Sequence, residues 1–259
     1  MLGSMRGLGK MFGLGNLSAP AAELTVFHIT HHKAGSQWIN RLFHALAYER
    51  LILPEVECNQ FLNKPIQAGG IYPTVYITRE QFDSVKLPKK WHRFVMIRDL
   101  RDTLVSLYFS IKHSHPVLHA RNQARRAMLH ELGVEEGLLH VTENLLAGIA
   151  QVQWSWVAAG DELIKYEDLL ERDEEILARV LLRDCKLNVD PGRFLEVVRE
   201  NRFEARSGRK PGEEDVQSHE RKGVAGDWRN HFTDKITRSF KERFGSLLVA
   251  TGYENGFNW

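Results

Sequence analysis

The chain has 259 residues, is 43% apolar and carries a formal net charge of +2. This length and apolar content suffice for one large packed core, and so balanced a charge excludes a generally basic, nucleic-acid-coating surface, so an anion site must be a local cluster. Two cysteines, Cys58 and Cys185, exclude a disulfide framework and a cysteine-built metal centre and point to a reducing, cytoplasmic setting, while no apolar run reaches the roughly 18 residues that a membrane span requires.

Residues 1–22 are rich in glycine and lack the continuous apolar stretch of a signal peptide, so they are expected to be a flexible lead before a single domain over 23–259. Residues 25–38, TVFHITHHKAGSQW, join an apolar β-branched run to a small-residue loop and a helical pattern. Residues 26–30 read as a buried strand. Ser36 can cap a helix whose inward stripe is Trp38, Ile39, Leu42, Phe43 and Leu46. Between them, Ala34 and Gly35 permit close backbone approach to an anion, the helix N-terminus adds positive potential, and Lys33 adds a full charge. A phosphate or sulfate suits such a loop, although an ordinary strand-turn-helix fits the same residues. It is not a Walker A loop, because no Gly-x-x-x-x-Gly-Lys-[Ser/Thr] runs through it.

Residues 51–70, with Pro54, Pro65 and Gly69-Gly70, read as a connecting loop. Residues 71–78 form a second strand with Arg79, Glu80, Gln81 and Phe82 at its end; residues 93–97 form a third, running into Arg98-Asp99. Strands alternating with helices predict a parallel sheet with crossover helices, in which ligands collect at the strands' carboxyl ends.

In residues 102–111, Leu104, Val105, Tyr108 and Ile111 make a helix face and leave Ser106 looking back at Arg98, so a strand-end guanidinium and a helix hydroxyl can converge on one anion. A surface network among Asp99, Arg101 and Asp102 is the alternative. Residues 121–159 are helical in pattern, with Trp154 and Trp156 read as core; residues 163–168 are a short strand, followed by a helix through 182 and another over 191–200. Residues 206–221 lack an apolar period and read as a mobile loop. It ends in RKGVAGDWRNHFT, where Arg221, Lys222 and Gly223 repeat the pairing of cations with a glycine, open equally to a phosphate grip and to a solvated charge run.

Three segments in this order resemble the sulfotransferases, of cytosolic or bacterial type, that use 3′-phosphoadenosine 5′-phosphosulfate (PAPS). HHKAGSQW is similar to the family's 5′-phosphosulfate loop, RDLRDTLVSLY to its 3′-phosphate segment, and RKGVAGDWRNHFT to its late signature; LIKYEDLL resembles the segment between. The resemblance implies a P-loop-like α/β fold and transfer of a sulfuryl group to a hydroxyl of a small-molecule or lipid-like acceptor, releasing adenosine 3′,5′-bisphosphate (PAP), with no metal. It also implies roles. Lys33, Ala34, Gly35, Ser36 and Gln37 would hold the phosphosulfate, with Lys33 neutralising the leaving oxygen; Trp38, Tyr166 and Phe203 would surround adenine; Arg98, Ser106, Arg221, Lys222 and Gly223 would bind the 3′-phosphate.

The sequence departs from the family where the second strand ends. Members there carry Lys-Thr-His with a histidine base, whereas this chain reads Ile77-Thr78-Arg79-Glu80. Glu80 is the first candidate for the base that an alcohol acceptor needs, with a helix-start glutamate as the alternative; His113 and His115 follow. His31 and His32 stand beside Lys33, which disfavours their charged forms. The family's dimerisation motif is poorly matched, which leaves oligomeric state open. A nucleotide kinase and a nucleotide-binding module without its catalytic base remain the rival functions.

Overall fold

The structure is a computed structural model that describes residues 23–55, 60–116 and 119–259, so the expected lead over 1–22 and Cys58 lie outside the described residues. In chain order it contains β1 (Thr25–Ile29), α1 (Ser36–Ala47), α2 (Gln60–Asn63), β2 (Ile71–Val75), α3 (Arg79–Asp83), β3 (Trp91–Ile97), α4 (Leu100–Phe109), α5 (Ala120–Glu131), α6 (Val134–Asn144), α7 (Ala147–Ala158), β4 (Leu163–Lys165), α8 (Tyr166–Leu177), α9 (Pro191–Glu200), α10 (Phe203–Ser207) and α11 (Asp234–Ala250). The four strands form one parallel sheet in the order β2-β1-β3-β4, as the alternation of strands and helices requires.

Side-chain alternation along the strands divides the core between the two sheet faces. Val26, Ile71, Phe94, Met96 and Ile164 pack with Ile39, Leu42 and Phe43 of α1 and with the apolar stripes of α8 and α9. Phe27, Ile29, Tyr72, Val95 and Ile97 face the other way, onto Phe61, Phe82 and Trp156. A third cluster joins α4, α6, α7 and α11 through Leu104, Tyr108, Leu138, Ile149 and Phe240. Of the two tryptophans expected in the core, Trp156 is buried, its Nε1 donating to the Ile77 carbonyl at 2.9 Å, whereas Trp154 faces outward on α7.

Two strands are shorter than the apolar pattern alone gives. β2 stops at Val75 because Thr78 caps α3: its Oγ1 accepts from the Gln81 backbone N–H, and the Gln81 Oε1 accepts from the Thr78 N–H at 2.9 Å. β4 stops at Lys165 because Tyr166 opens α8. Pairing of β1 with both β2 and β3 brings the loops that follow these strands side by side.

Candidate functional site

The loop after β1 is built for close approach. Gly35 caps α1 at φ +83°, and a Cβ there would sit 2.8 Å from Cδ2 of Tyr166, so the missing side chain lets the tyrosine ring close onto the loop. Ser36 does not cap the helix as its sequence position predicts; its hydroxyl hydrogen-bonds the Tyr76 hydroxyl at 2.7 Å, tying the loop to the chain after β2. Lys33 adopts φ +69°, a conformation that side-chain-bearing residues avoid unless the surroundings impose it. Burial, then the charges of Arg98 and Arg221, lower its pKa to about 8, against the opposing pull of Glu220.

Arg98 leaves the end of β3 beside this loop. Its backbone is fixed by Gln153, whose Nε2 donates to the Arg98 carbonyl at 2.7 Å and to Nε2 of His31 at 2.8 Å; that histidine nitrogen also accepts from the Arg98 N–H at 3.3 Å. His31 donates from Nδ1 to the His32 carbonyl, so both its nitrogens are engaged, and burial pushes its pKa to about 3. The Arg98 guanidinium lies 4.7 Å over the Tyr166 ring and donates to the carbonyls of Lys33 at 3.2 Å and Val224 at 3.3 Å. Its Nε is buried with no hydrogen-bond partner among the described residues. Such an orphaned donor is costly in an isolated protein and is what an anion would satisfy.

Of the surface network weighed as an alternative for Asp99, Arg101 and Asp102, only the pair of Asp99 with Arg101 forms; all three residues are buried, and Asp102 and Arg98 turn to other partners. Arg101 pairs with Asp99 at 2.7 Å and Glu254 at 2.5 Å between the rings of Trp228 and Trp259. Asp102 accepts the backbone N–H groups of Gly226 at 2.6 Å and Trp228 at 2.9 Å, fastening the late turn to the first turn of α4. Asp227 in that turn binds Arg221 and Lys222 at 2.5 and 2.6 Å. Burial opposes ionisation there, yet hydrogen bonds from His231, Lys222, Arg221 and Asn230 hold its carboxyl far below the usual range.

All these segments wall one cavity of about 740 Å³, a volume suited to a nucleotide-sized ligand. Of the residues expected at a nucleotide, Lys33, Gly35, Ser36, Gln37, Trp38, Arg98, Ser106, Tyr166, Phe203, Arg221, Lys222 and Gly223 all line it, whereas Ala34 is packed beneath the loop with no exposed surface. Trp38 and Tyr166 meet edge to face at 6.3 Å, which sets two mutually perpendicular rings in the cavity wall beside the cations. A set of three or more convergent metal-ligating side chains does not occur among the described residues. Cations, an unsatisfied guanidinium donor and aromatic faces together fit a phosphorylated nucleotide.

The candidate proton acceptors separate. Glu80 stands exposed in the first turn of α3, outside the cavity, and its carboxylate is held below the usual range by its own backbone N–H and by Thr78. His113 also lies outside, stacked on Phe109 and edge-on to His130. His115 lines the cavity, together with His32 and with Tyr76 and His219, which sequence reasoning missed. His32 is reachable by solvent but walled by protein on most sides; burial, Lys33 and His115 lower its pKa to about 4. Sequence position gave no signal for His219, which stands in a stretch without apolar period; Tyr76 lay inside the expected strand over 71–78, where nothing marked it off from its neighbours.

The cation-lined cavity lies at the carboxyl ends of the parallel strands, where open α/β sheets hold their ligands. A sulfotransferase-domain family model matches residues 25–252, and the chain belongs to that family. Mouse sulfotransferase SULT7A1 complexed with PAP superposes with a TM-score of 0.59 at 18% identity, covering 90% of this chain and 89% of that one. Retinol dehydratase with retinol and PAP gives 0.50 at 15% identity, covering 88% and 82%. At these identities the likeness is one of fold. Comparison with curated proteins yields no match.

Proposed function

We propose that the protein transfers a sulfuryl group from PAPS to the hydroxyl of a small-molecule or lipid-like acceptor in the cytoplasm and releases PAP. What carries this reading is the single cavity in which Lys33, Arg98, Ser106, Arg221 and Lys222 converge beside Trp38, Tyr166 and Phe203. PAPS supplies the activated sulfuryl group. Lys33 stabilises negative charge on the leaving phosphate oxygen, and the backbone N–H groups at the start of α1, with Ser36 and Gln37, hold the phosphosulfate oxygens. Arg98, Ser106, Arg221 and the Lys222-Gly223 backbone hold the 3′-phosphate, the two arginines as fork-shaped donors. The orphaned Nε of Arg98 gains a partner in that arrangement.

The experiment is incubation with ³⁵S-labelled PAPS and an acceptor library, without added metal and beside Lys33→Ala and Glu80→Gln. Label transfer that needs neither Mg²⁺ nor ATP and is lost in Lys33→Ala is the expected outcome. Tight PAP binding without transfer to any acceptor would favour a binding module, a reading that draws on Glu80 not lining the cavity. An absolute requirement for Mg²⁺ and ATP would favour a kinase. Full activity in Glu80→Gln would remove that residue as the base.

A further inference from the structure

The position at which related enzymes are expected to carry a base offers none here. Thr78 is committed to the cap of α3, Arg79 pairs with Asp83 at 2.9 Å and Asp161 at 2.6 Å, and Glu80 points to solvent. His31 has both nitrogens occupied. A base must come from another element that lines the cavity.

After α4 the chain continues as a wider, π-type turn over Ser110–Ser114. In a regular helix the His115 N–H would bind the Ile111 carbonyl four residues back; it binds the Ser110 carbonyl instead, at 2.7 Å. The freed Ile111 carbonyl accepts from Nε of Arg126 at 2.9 Å, and Nη2 of the same guanidinium donates to the His115 carbonyl. One arginine of α5 therefore grips both ends of the widened turn. Insertions of this kind recur at functional sites because they re-aim the residue that follows. Here that residue is His115, which lines the cavity with Lys33.

We infer that His115 takes the proton of the acceptor hydroxyl during transfer, and that Arg126 is the positioning residue that holds the turn presenting it. The inference rests on the transferase reading above. As the acceptor oxygen forms its bond to sulfur, its proton passes to the unprotonated imidazole nitrogen. The bond from sulfur to the bridging oxygen breaks, and its electron pair leaves with the 5′-phosphate of PAP beside Lys33. The imidazolium then returns the proton to water.

The charged and titratable groups around His115 are Lys33, Arg126, His32 and His219. His115 is exposed at the cavity wall, and partial desolvation, Lys33 and Arg126 all lower its pKa, which favours the unprotonated ring that can accept a proton. His32 is a weaker base, at about 4 and next in sequence to Lys33. His219, which also stands near Lys33 and His115, adjoins Glu220, whose carboxylate pairs with Arg41 of α1 at 3.1 Å.

The test compares two acceptors, benzyl alcohol, which needs its proton removed, and p-nitrophenol at pH 8, which is already largely ionised. Transfer of ³⁵S from PAPS to benzyl alcohol should fall by about 10²–10⁴-fold in His115→Asn, with transfer to p-nitrophenol affected by less than about tenfold. The acid limb of the alcohol pH profile should vanish in His115→Asn, and PAP affinity measured by calorimetry should stay within about threefold of wild type. Arg126→Met should lower kcat for the alcohol more than it raises KM, with Arg126→Lys recovering part of the loss. Equal loss with both acceptors, retained alcohol transfer, or wild-type transfer to p-nitrophenol alone would overturn the assignment. Wild-type protein that binds PAP but transfers to neither acceptor would overturn the transferase reading itself.

Discussion

Gly223→Ala tests the nucleotide wall most directly. Gly223 has φ +64°, and a Cβ built there would lie 2.3 Å from Cγ and 2.5 Å from Cδ2 of the Phe203 ring. Ordinary contact begins near 3.4 Å, so ring or loop must retreat by about 1 Å. Retreat is resisted, because the Arg209 guanidinium covers Phe203 at 5.1 Å and is itself fixed by the carbonyls of Glu213 and Arg221, both at 2.8 Å. Overpacking of this kind costs about 1–3 kcal/mol, and the left-handed conformation costs an alanine about 1 kcal/mol more. Since about 1.4 kcal/mol is tenfold in affinity, calorimetry should show the PAP dissociation constant rising by about 10- to 100-fold. Gly208→Ala isolates the conformational part, since Gly208 has φ +70° with nothing within 4 Å of the new Cβ. It should lower Tm by about 2–4 °C and leave PAP affinity alone. A Gly223→Ala protein that binds PAP within about threefold of wild type would refute the reasoning.

Lys33, at about 8 in the free protein, should take up a proton when the polyanion binds, because binding favours the charged form. PAP affinity should therefore fall as pH rises through about 8, and heats measured in buffers of different ionisation enthalpy should reveal proton uptake that Lys33→Met abolishes. Asp102→Ala leaves the N–H groups of Gly226 and Trp228 without their buried acceptor, at a cost of about 2–4 kcal/mol. Thermal unfolding should drop by several degrees and PAP affinity should weaken, because the turn carrying Arg221 loses its anchor; a change in neither would show that the turn holds itself. Tyr253→Phe removes a 2.7 Å hydrogen bond to Glu167, whose other oxygen accepts from the Asp99 N–H next to Arg98. A loss of about 1–2 kcal/mol is expected, read as a fall in Tm, and an unchanged Tm would assign the contact no weight.

Local pattern carried much of the fold and marked several of the cations that line the cavity. The apolar runs around Phe27 and Val95 are strands because their alternating residues pack on both sheet faces, and Lys33, Arg98 and Arg221 could be named because a cation beside a glycine or at a strand end is a local signature. Tyr76 and His219 were not legible, since a residue's place at a cavity depends on what the chain does elsewhere. Nor was the role of Ser36, because its position permitted both a cap and the bond to Tyr76 that it makes.

By itself, then, the sequence determined the parallel α/β plan, which follows from periodicity, and the family resemblance, which rests on three motifs in order; taken singly, the three cation-bearing segments stayed open between an anion grip and an ordinary turn or charge run. Only the tertiary structure decided which groups share the cavity. It left Glu80 and His113 outside and brought His115 in, because one widened turn and one arginine from a neighbouring helix set where that imidazole stands. Such an arrangement depends on contacts between distant parts of the chain, which no local pattern records.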